Sequence, residues 1–300
     1  MAFNIQEENK YLDFQINAAL QGEEINNYIK QFGWYITPFF FVDQYDRIKY
    51  YKDTNTGNKD LITDVMKRTL FDTRFLAIHV EAFYKRLPYI HGFSFLIDHG
   101  IILYLQYDYA GAINTLVPII EGILRNYLRT KGNNAPTFPH LRQSFDTMKS
   151  DIIARHTGIY IAEGLTAQDY DPLIAKHDVY LTKWFSFIKD FIDNGMYLNT
   201  YAGVPADYLN RHLILHALTN DFYYSFSNVM KAYITLEYLA WIFIELTPGF
   251  STTPNIADDE FANRAVLYSE INRISRSEIF KMKQVLYESH PTFDINKYVG

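Results

Sequence analysis

The sequence predicts an all-α protein, and three observations carry that prediction. Apolar residues recur at spacings of three and four over long stretches, which is the helical period. Turn signals are sparse; the clearest lie at 54–57, 131–136, 199–205 and 247–254, where Gly, Pro and Asn cluster. No run alternates apolar and polar residues as a half-buried strand would, and no segment repeats.

The elements follow in chain order. Residues 35–42 (Tyr-Ile-Thr-Pro-Phe-Phe-Phe-Val) read as either a short strand or a buried extended segment. Together with Trp34 they form an apolar cluster too large to leave in water, so the N-terminal third is expected to pack on the rest. Leu61, Val65, Leu70 and Leu76 open a helical run that Pro88 should end or kink. Further helices are expected over 93–105 and 113–128, with Pro118 as a kink in the second. Leu173, Val179, Trp184, Phe187, Ile188 and Phe191 space a long amphipathic helix over 173–192. Pro205 suits the first turn of another helix. Asn220 or Asp221 would cap the next, which runs through Tyr233, Leu236, Leu239 and Phe243.

Composition narrows the chemistry. The 300 residues can bury a full-size core, and 48% hydrophobic against 21% charged residues is ordinary for a folded chain. Most of the 25 Tyr and 23 Phe are then core residues. The chain has no cysteine, which excludes disulfides, thiolate catalysis and cysteine-held metals. The N-terminus lacks the basic start and apolar run of a signal peptide. The most apolar stretch, 229–246, carries Lys231, Glu237 and Glu245, so it reads as a buried helix rather than a bilayer span. A cytoplasmic protein without a membrane segment is expected. The net charge of −6 argues against coating nucleic acid by bulk electrostatics. Between Glu121 and His156, however, six basic residues stand against three acidic ones. That stretch is a solvated helix surface or an RNA-binding patch, with Arg125, Arg129 and Lys131 as the binding candidates.

The most informative segment is Asn210-Arg211-His212-Leu213-Ile214-Leu215-His216. It sets a permanent cation and two imidazoles on about two turns of a predicted helix. Such a set suits phosphate chemistry, with one group to stabilise negative charge and another to move a proton. His212 and His216 fall on one face, about 40° apart, together with Leu209 and Leu213. Arg211 lies about 140° from His216, although its long side chain can curl towards a shared phosphate.

Blander readings of the same residues stand beside this one. A histidine among leucines is commonly a satisfied core residue. Arg211 can pair with Asp207 at i−4. His212 and His216 have metal-binding spacing, yet Leu213 stands where a His-Glu-x-x-His motif needs Glu, and the chain has no Glu-x-x-His pair. No phosphate loop, dinucleotide fingerprint or nucleophile elbow occurs. The other histidines (His79, His91, His99, His140, His156, His177, His290) read as scattered, unaccompanied structural or surface residues.

The run Asn-Arg-His-x-x-x-His between two long helices resembles the Arg-x(4–6)-His signature of the HEPN (higher eukaryotes and prokaryotes nucleotide-binding) superfamily. The segment from Leu116 to Arg125 is similar to that family's acidic-residue helix and nominates Glu121. The resemblance covers roughly 93–246. Many relatives carry Gly after the motif histidine, where this chain has Ala217. A branch with Tyr two positions after it is not matched, since Leu218 stands there.

The resemblance implies a HEPN-type helical core over 91–250, with added helical regions over 1–90 and 251–300. It implies a metal-independent endoribonuclease of the toxin or anti-phage defence kind, needing no cofactor. His216 would be general base or acid, and Arg211 would stabilise the phosphate. His212 and Asn210 would orient these groups, and Glu121 would support them. RNA substrate, a homodimer with facing motif helices, and a cognate antitoxin or defence partner follow as expected partners. A non-catalytic helical module that binds RNA, nucleotide or protein is the alternative; a metal enzyme using His212 and His216 is a third.

Overall fold

The computed structural model describes residues 3–39, 42–136, 138–193, 225–250 and 258–289. Among them the chain forms ten α-helices and no strand. These are α1 (Ile5–Ile29), α2 (Val42–Asp53), α3 (Lys59–Leu70), α4 (Thr73–Ile78), α5 (Ser94–Leu105), α6 (Tyr109–Thr130), α7 (Phe138–Ala162), α8 (Ala167–Phe191), α9 (Phe226–Leu246) and α10 (Asp258–Ser289). None of the described helices is long and apolar enough to cross a membrane.

The organising element is α9. Ser225 caps it, its hydroxyl accepting from the Asn228 amide at 3.4 Å. Every residue from Asn228 to Ile244 is buried, so the helix is enclosed on all sides. It packs on α6, α7 and α3, while α5 lies on α6, α8 joins α7 to α1, and α10 lies along α4 and α5. One continuous apolar core runs from Leu12 on α1 to Tyr268 on α10. The N-terminal third therefore shares the core of the rest, as its aromatic cluster suggests.

Several boundaries differ from the sequence reading. The run from Leu61 is two helices, because Asp72 stops being helical and caps α4 instead, accepting from Arg74 N at 2.9 Å. The turn after α4 is a π-helix, His79–Tyr84, which ends ahead of Pro88. Helix α8 begins six residues before the expected Leu173, at a capping box. There Asp169 accepts from both the amide (3.1 Å) and the hydroxyl (2.6 Å) of Thr166. Pro118 sits inside α6 without interrupting it. Pro205, Asn220 and Asp221 lie outside the described residues, as do Phe40 and Phe41.

Over the described residues 34–37 the segment after α1 is buried and extended without a sheet ladder. Gly33 turns the chain at φ +77°, and Trp34, Tyr35, Ile36 and Thr37 then run inward. Their polar groups are met one by one. Trp34 Nε1 donates to Thr63 Oγ1 at 3.0 Å, the Ile36 amide to Asn26 Oδ1 at 3.3 Å, and Tyr238 Oη to the Ile36 carbonyl at 2.5 Å. A segment inside the core without a ladder needs such partners. Replacing Trp34 by Ala should cost about 3–5 kcal/mol, the range for a fully buried aromatic side chain. Trp34→Phe, which loses mainly the hydrogen bond to Thr63, should cost about 1 kcal/mol. Urea unfolding followed by circular dichroism checks both, and an unchanged midpoint for Trp34→Ala would contradict this packing.

Candidate functional site

Asn210, Arg211, His212 and His216 lie outside the described residues, between α8 and α9. What the structure places are the residues expected to assist them.

Glu121 is buried on α6, at 8% exposure, and is bound to Arg125 one turn on. Arg125 donates to Glu121 Oε1 from Nε at 2.9 Å and from Nη2 at 2.5 Å. An acidic residue four positions before a basic one is the favourable order on a helix. The remaining arm of the guanidinium, Nη1, donates to the Pro136 carbonyl at 2.6 Å and fastens the turn after α6. Glu121 thus carries a counter-charge from its own helix.

The other two binding candidates are also engaged. Lys131 pairs with Asp151 Oδ2 at 2.6 Å and sits 5.7 Å from the centre of the Tyr127 ring. Tyr127 donates to the same Asp151 oxygen at 2.5 Å. Arg129 is exposed and reaches Asn126 Oδ1 at 3.4 Å. Further along, Arg142 pairs with Asp193 at 2.6 Å and Lys149 with Asp178 at 2.7 Å, while Arg155 donates to the Glu245 carbonyl at 2.7 Å. The basic excess of 121–156 is therefore a property of the sequence window. Two of the carboxylates that meet it, Asp178 and Asp193, lie beyond that window.

The histidines correct the sequence reading most clearly, because three of those called unaccompanied are partnered in the interior. His79 Nδ1 lies 2.5 Å from Glu237 Oε2 on α9, out of line for a straight hydrogen bond. Tyr84 donates to the other oxygen of Glu237. Residues five apart on an α-helix point about 140° away from each other, whereas i→i+5 bonding stacks them. The π-turn thereby lets His79 and Tyr84 grip one carboxylate. Phe39, Phe75 and Phe83 enclose the imidazole, with ring centres 5.0, 4.0 and 5.0 Å away. Burial, and then the charge of Glu237, holds the Tyr84 phenol far above its ordinary range, so it stays a neutral donor.

A second cluster joins four helices. His156 on α7 and His177 on α8 stack with ring centres 3.8 Å apart. Tyr160 Oη lies 2.7 Å from His177 Nε2 and 2.7 Å from Glu8 Oε1 on α1; Tyr180 Oη lies 3.1 Å from His177 Nδ1. Glu245 on α9 approaches His156 Nε2 at 3.5 Å. Because the Tyr160 hydroxyl donates its one hydrogen to the carboxylate, it accepts from His177. The imidazole is then the neutral Nε2–H tautomer, and Tyr180 donates to Nδ1.

The proton affinities follow. Burial lowers the pKa of His177, which favours the neutral ring, and His177 and Tyr160 hold Glu8 ionised below the usual carboxylate range. No group of three or more potential ligands among the described residues is arranged to hold a metal ion. Apart from His177 and Tyr180, three positions apart, the hydrogen-bonded and paired groups are 17 to 169 residues apart, so sequence spacing does not reveal the cluster.

Comparison of the chain with family models, with curated proteins and with solved structures finds no match in any of the three.

The buried cluster has a pH signature. Both groups have depressed folded pKa values, so each contributes stability above its unfolded value that is lost as pH falls. The loss attributable to His177 should begin below its unfolded value of about 6.5, and that of Glu8 only below about 4.5. Each slope is at most about 1.4 kcal/mol per pH unit. Urea midpoints between pH 7.5 and 4 should fall in these two steps, and His177→Phe should flatten the upper one. A wild-type midpoint constant from pH 7 to 5 would contradict the assignment.

Proposed function

We propose that the chain is a metal-independent endoribonuclease of HEPN type. One observation carries the reading: Arg211 and His216, at Arg-x(4)-His spacing with Asn210 and His212, between two long helices of an all-helical chain. His216 takes the proton of an RNA 2′-hydroxyl, or gives one to the departing 5′-oxygen. The 2′-oxygen attacks the adjacent phosphorus and the P–O5′ bond breaks. A 2′,3′-cyclic phosphate and a 5′-hydroxyl result. Arg211 meets the charge gathering on the phosphate as phosphorus becomes five-coordinate; its planar fork suits those oxygens. His212 and Asn210 orient the phosphate, and Glu121 keeps the supporting role.

Because one helix sets Arg211 and His216 about 140° apart, a homodimer with the motif helices across a two-fold axis would complete a cleft from both copies. A toxin or anti-phage effector with a cognate partner is the biological setting this reading implies. The pairing of Glu121 with Arg125, which occupies the acid within its own helix, favours a second reading: a helical module that binds RNA, nucleotide or protein without cutting.

Arg211→Ala and His216→Ala should each remove RNA cleavage, by about 10²–10⁴ in rate, with helicity and melting unchanged. EDTA should leave wild-type cleavage intact, and light scattering should find a dimer at micromolar concentration. Intact RNA in the presence of bound wild-type protein would move the conclusion to the binding module. If His216→Ala were destabilised by about 1–3 kcal/mol in a protein that cleaves nothing, the histidine would be a core residue.

A further inference from the structure

Helix α10 is docked through its first half. Arg264 meets Glu81 and Asp98, Tyr268 donates to Asp98, and the Tyr107 phenol reaches Asn272 Oδ1 at 3.5 Å. Among the described side chains of α10 only Tyr268 is fully buried. The helix carries an apolar stripe into water: Leu267, Ile274, Met282 and Val285 are 43–59% exposed, and Ile271 between the first two is partly buried.

Leu267, Ile271, Ile274, Glu278, Lys281 and Val285 follow one another at alternating steps of four and three residues. That is the heptad spacing of a coiled-coil seam, and the six positions fall within about 80° of the helix surface. The seam is interrupted by charge only at its middle, where Glu278 and Lys281 are both exposed. Among the described residues neither takes part in an ion pair, although Arg273 and Glu270 on the same helix pair at 2.6 Å.

The order of these two charges selects what can cover the seam. In a parallel pair of identical helices Glu278 would face Glu278 and Lys281 would face Lys281. In an antiparallel pair, with a two-fold axis midway between them, Glu278 of each copy faces Lys281 of the other, and Ile274 faces Val285. The two helices then overlap from Glu270 to Ser289, which is about 20 residues or about 30 Å. This overlap begins after Tyr268, so it uses the half of α10 that the fold leaves exposed.

We propose that α10 pairs antiparallel with α10 of a second copy of this chain. The apolar positions supply attraction without choosing a register, and two exchanged Glu278–Lys281 pairs at the centre choose it. The surface is distinct from the facing motif helices of the ribonuclease reading and does not depend on them.

The test uses the full chain. Sedimentation equilibrium up to about 100 µM should show self-association. Glu278→Lys sets lysines against lysines at the centre and should weaken it about tenfold or more, and Glu278→Lys combined with Lys281→Glu should restore it. Melting should be unchanged in both, since the positions are exposed. Phe280→Glu removes an exposed apolar residue about 160° around the helix from Glu278 and should leave association as it is. The chain has no cysteine, so introduced disulfides can report the register. Under mild oxidation Ile274→Cys with Val285→Cys should give a covalent dimer. Ile274→Cys alone should not, because its two copies lie about 16 Å apart along the axis. A wild type that stays monomeric at about 100 µM overturns the proposal. So does association that is indifferent to Glu278→Lys, that is not recovered by the charge exchange, or that is crosslinked by Ile274→Cys alone. A dimer built only from the motif helices would survive Glu278→Lys, and RNA cleavage is read separately, so the two readings fail independently.

Discussion

A carboxylate with no access to water sets the terms for the rest of this molecule. Glu237 sits on a helix enclosed along seventeen consecutive residues, from Asn228 to Ile244, and has 0% exposure. A buried polar group of this kind is costly to leave unmet, so its partners are constrained to arrive together. His79 and Tyr84 do so because the chain between them winds as a π-turn. The same helix fixes the segment after α1, where Tyr238 binds the Ile36 carbonyl and buried Lys231 lies 5.4 Å from the centre of the Trp34 ring. Burial of α9 therefore determines the path of residues 34–39 and 79–84, both well before it in the chain.

Apolar packing alone tolerates sliding, whereas a hydrogen-bonded carboxylate accepts few geometries. Two further polar networks use this at the ends of the body. Glu8, His177, Tyr160 and Tyr180 hold the start of α1 against α7 and α8. Arg264 bridges Glu81 and Asp98, with Lys85 on Glu81 and Tyr268 on Asp98, and so holds α10 against the π-turn and α5. The terminal helices are thus docked through specified charges as well as shared apolar surface.

The helices were legible because a 3.6-residue period survives in one dimension, whereas the caps Asn58 and Asp108 went unread. The break at Phe71 and Asp72 was not read, since apolar spacing continues across it while the cap redirects the chain. The histidines were missed for a different reason: Glu237 lies 158 residues from His79, and Glu8 169 from His177. Such contacts leave no local pattern. The Arg-x(4)-His motif lies outside the described residues, and Glu121 was nominated by the family resemblance alone. Its pairing with Arg125 was written in the i,i+4 spacing, yet a functional role for the acid drew the attention first.

Charge pairing also bears on where an acidic chain can meet a polyanion. A cation already held by a carboxylate gains little from a phosphate, because the old pair must be broken and its acid left facing the newcomer. Arg125, Lys131, Arg142 and Lys149 are in that position, although they make 121–156 look basic. The useful measure is therefore the positive charge left over after folding, residue by residue, and not the excess in a stretch of sequence. Lys67 and Arg276 are 209 positions apart and unremarkable in the sequence, yet they border one aromatic cavity with no carboxylate in its lining. In a chain of net charge −6, a basic run whose cations already face Glu121, Asp151, Asp178 and Asp193 has little left to offer a phosphate.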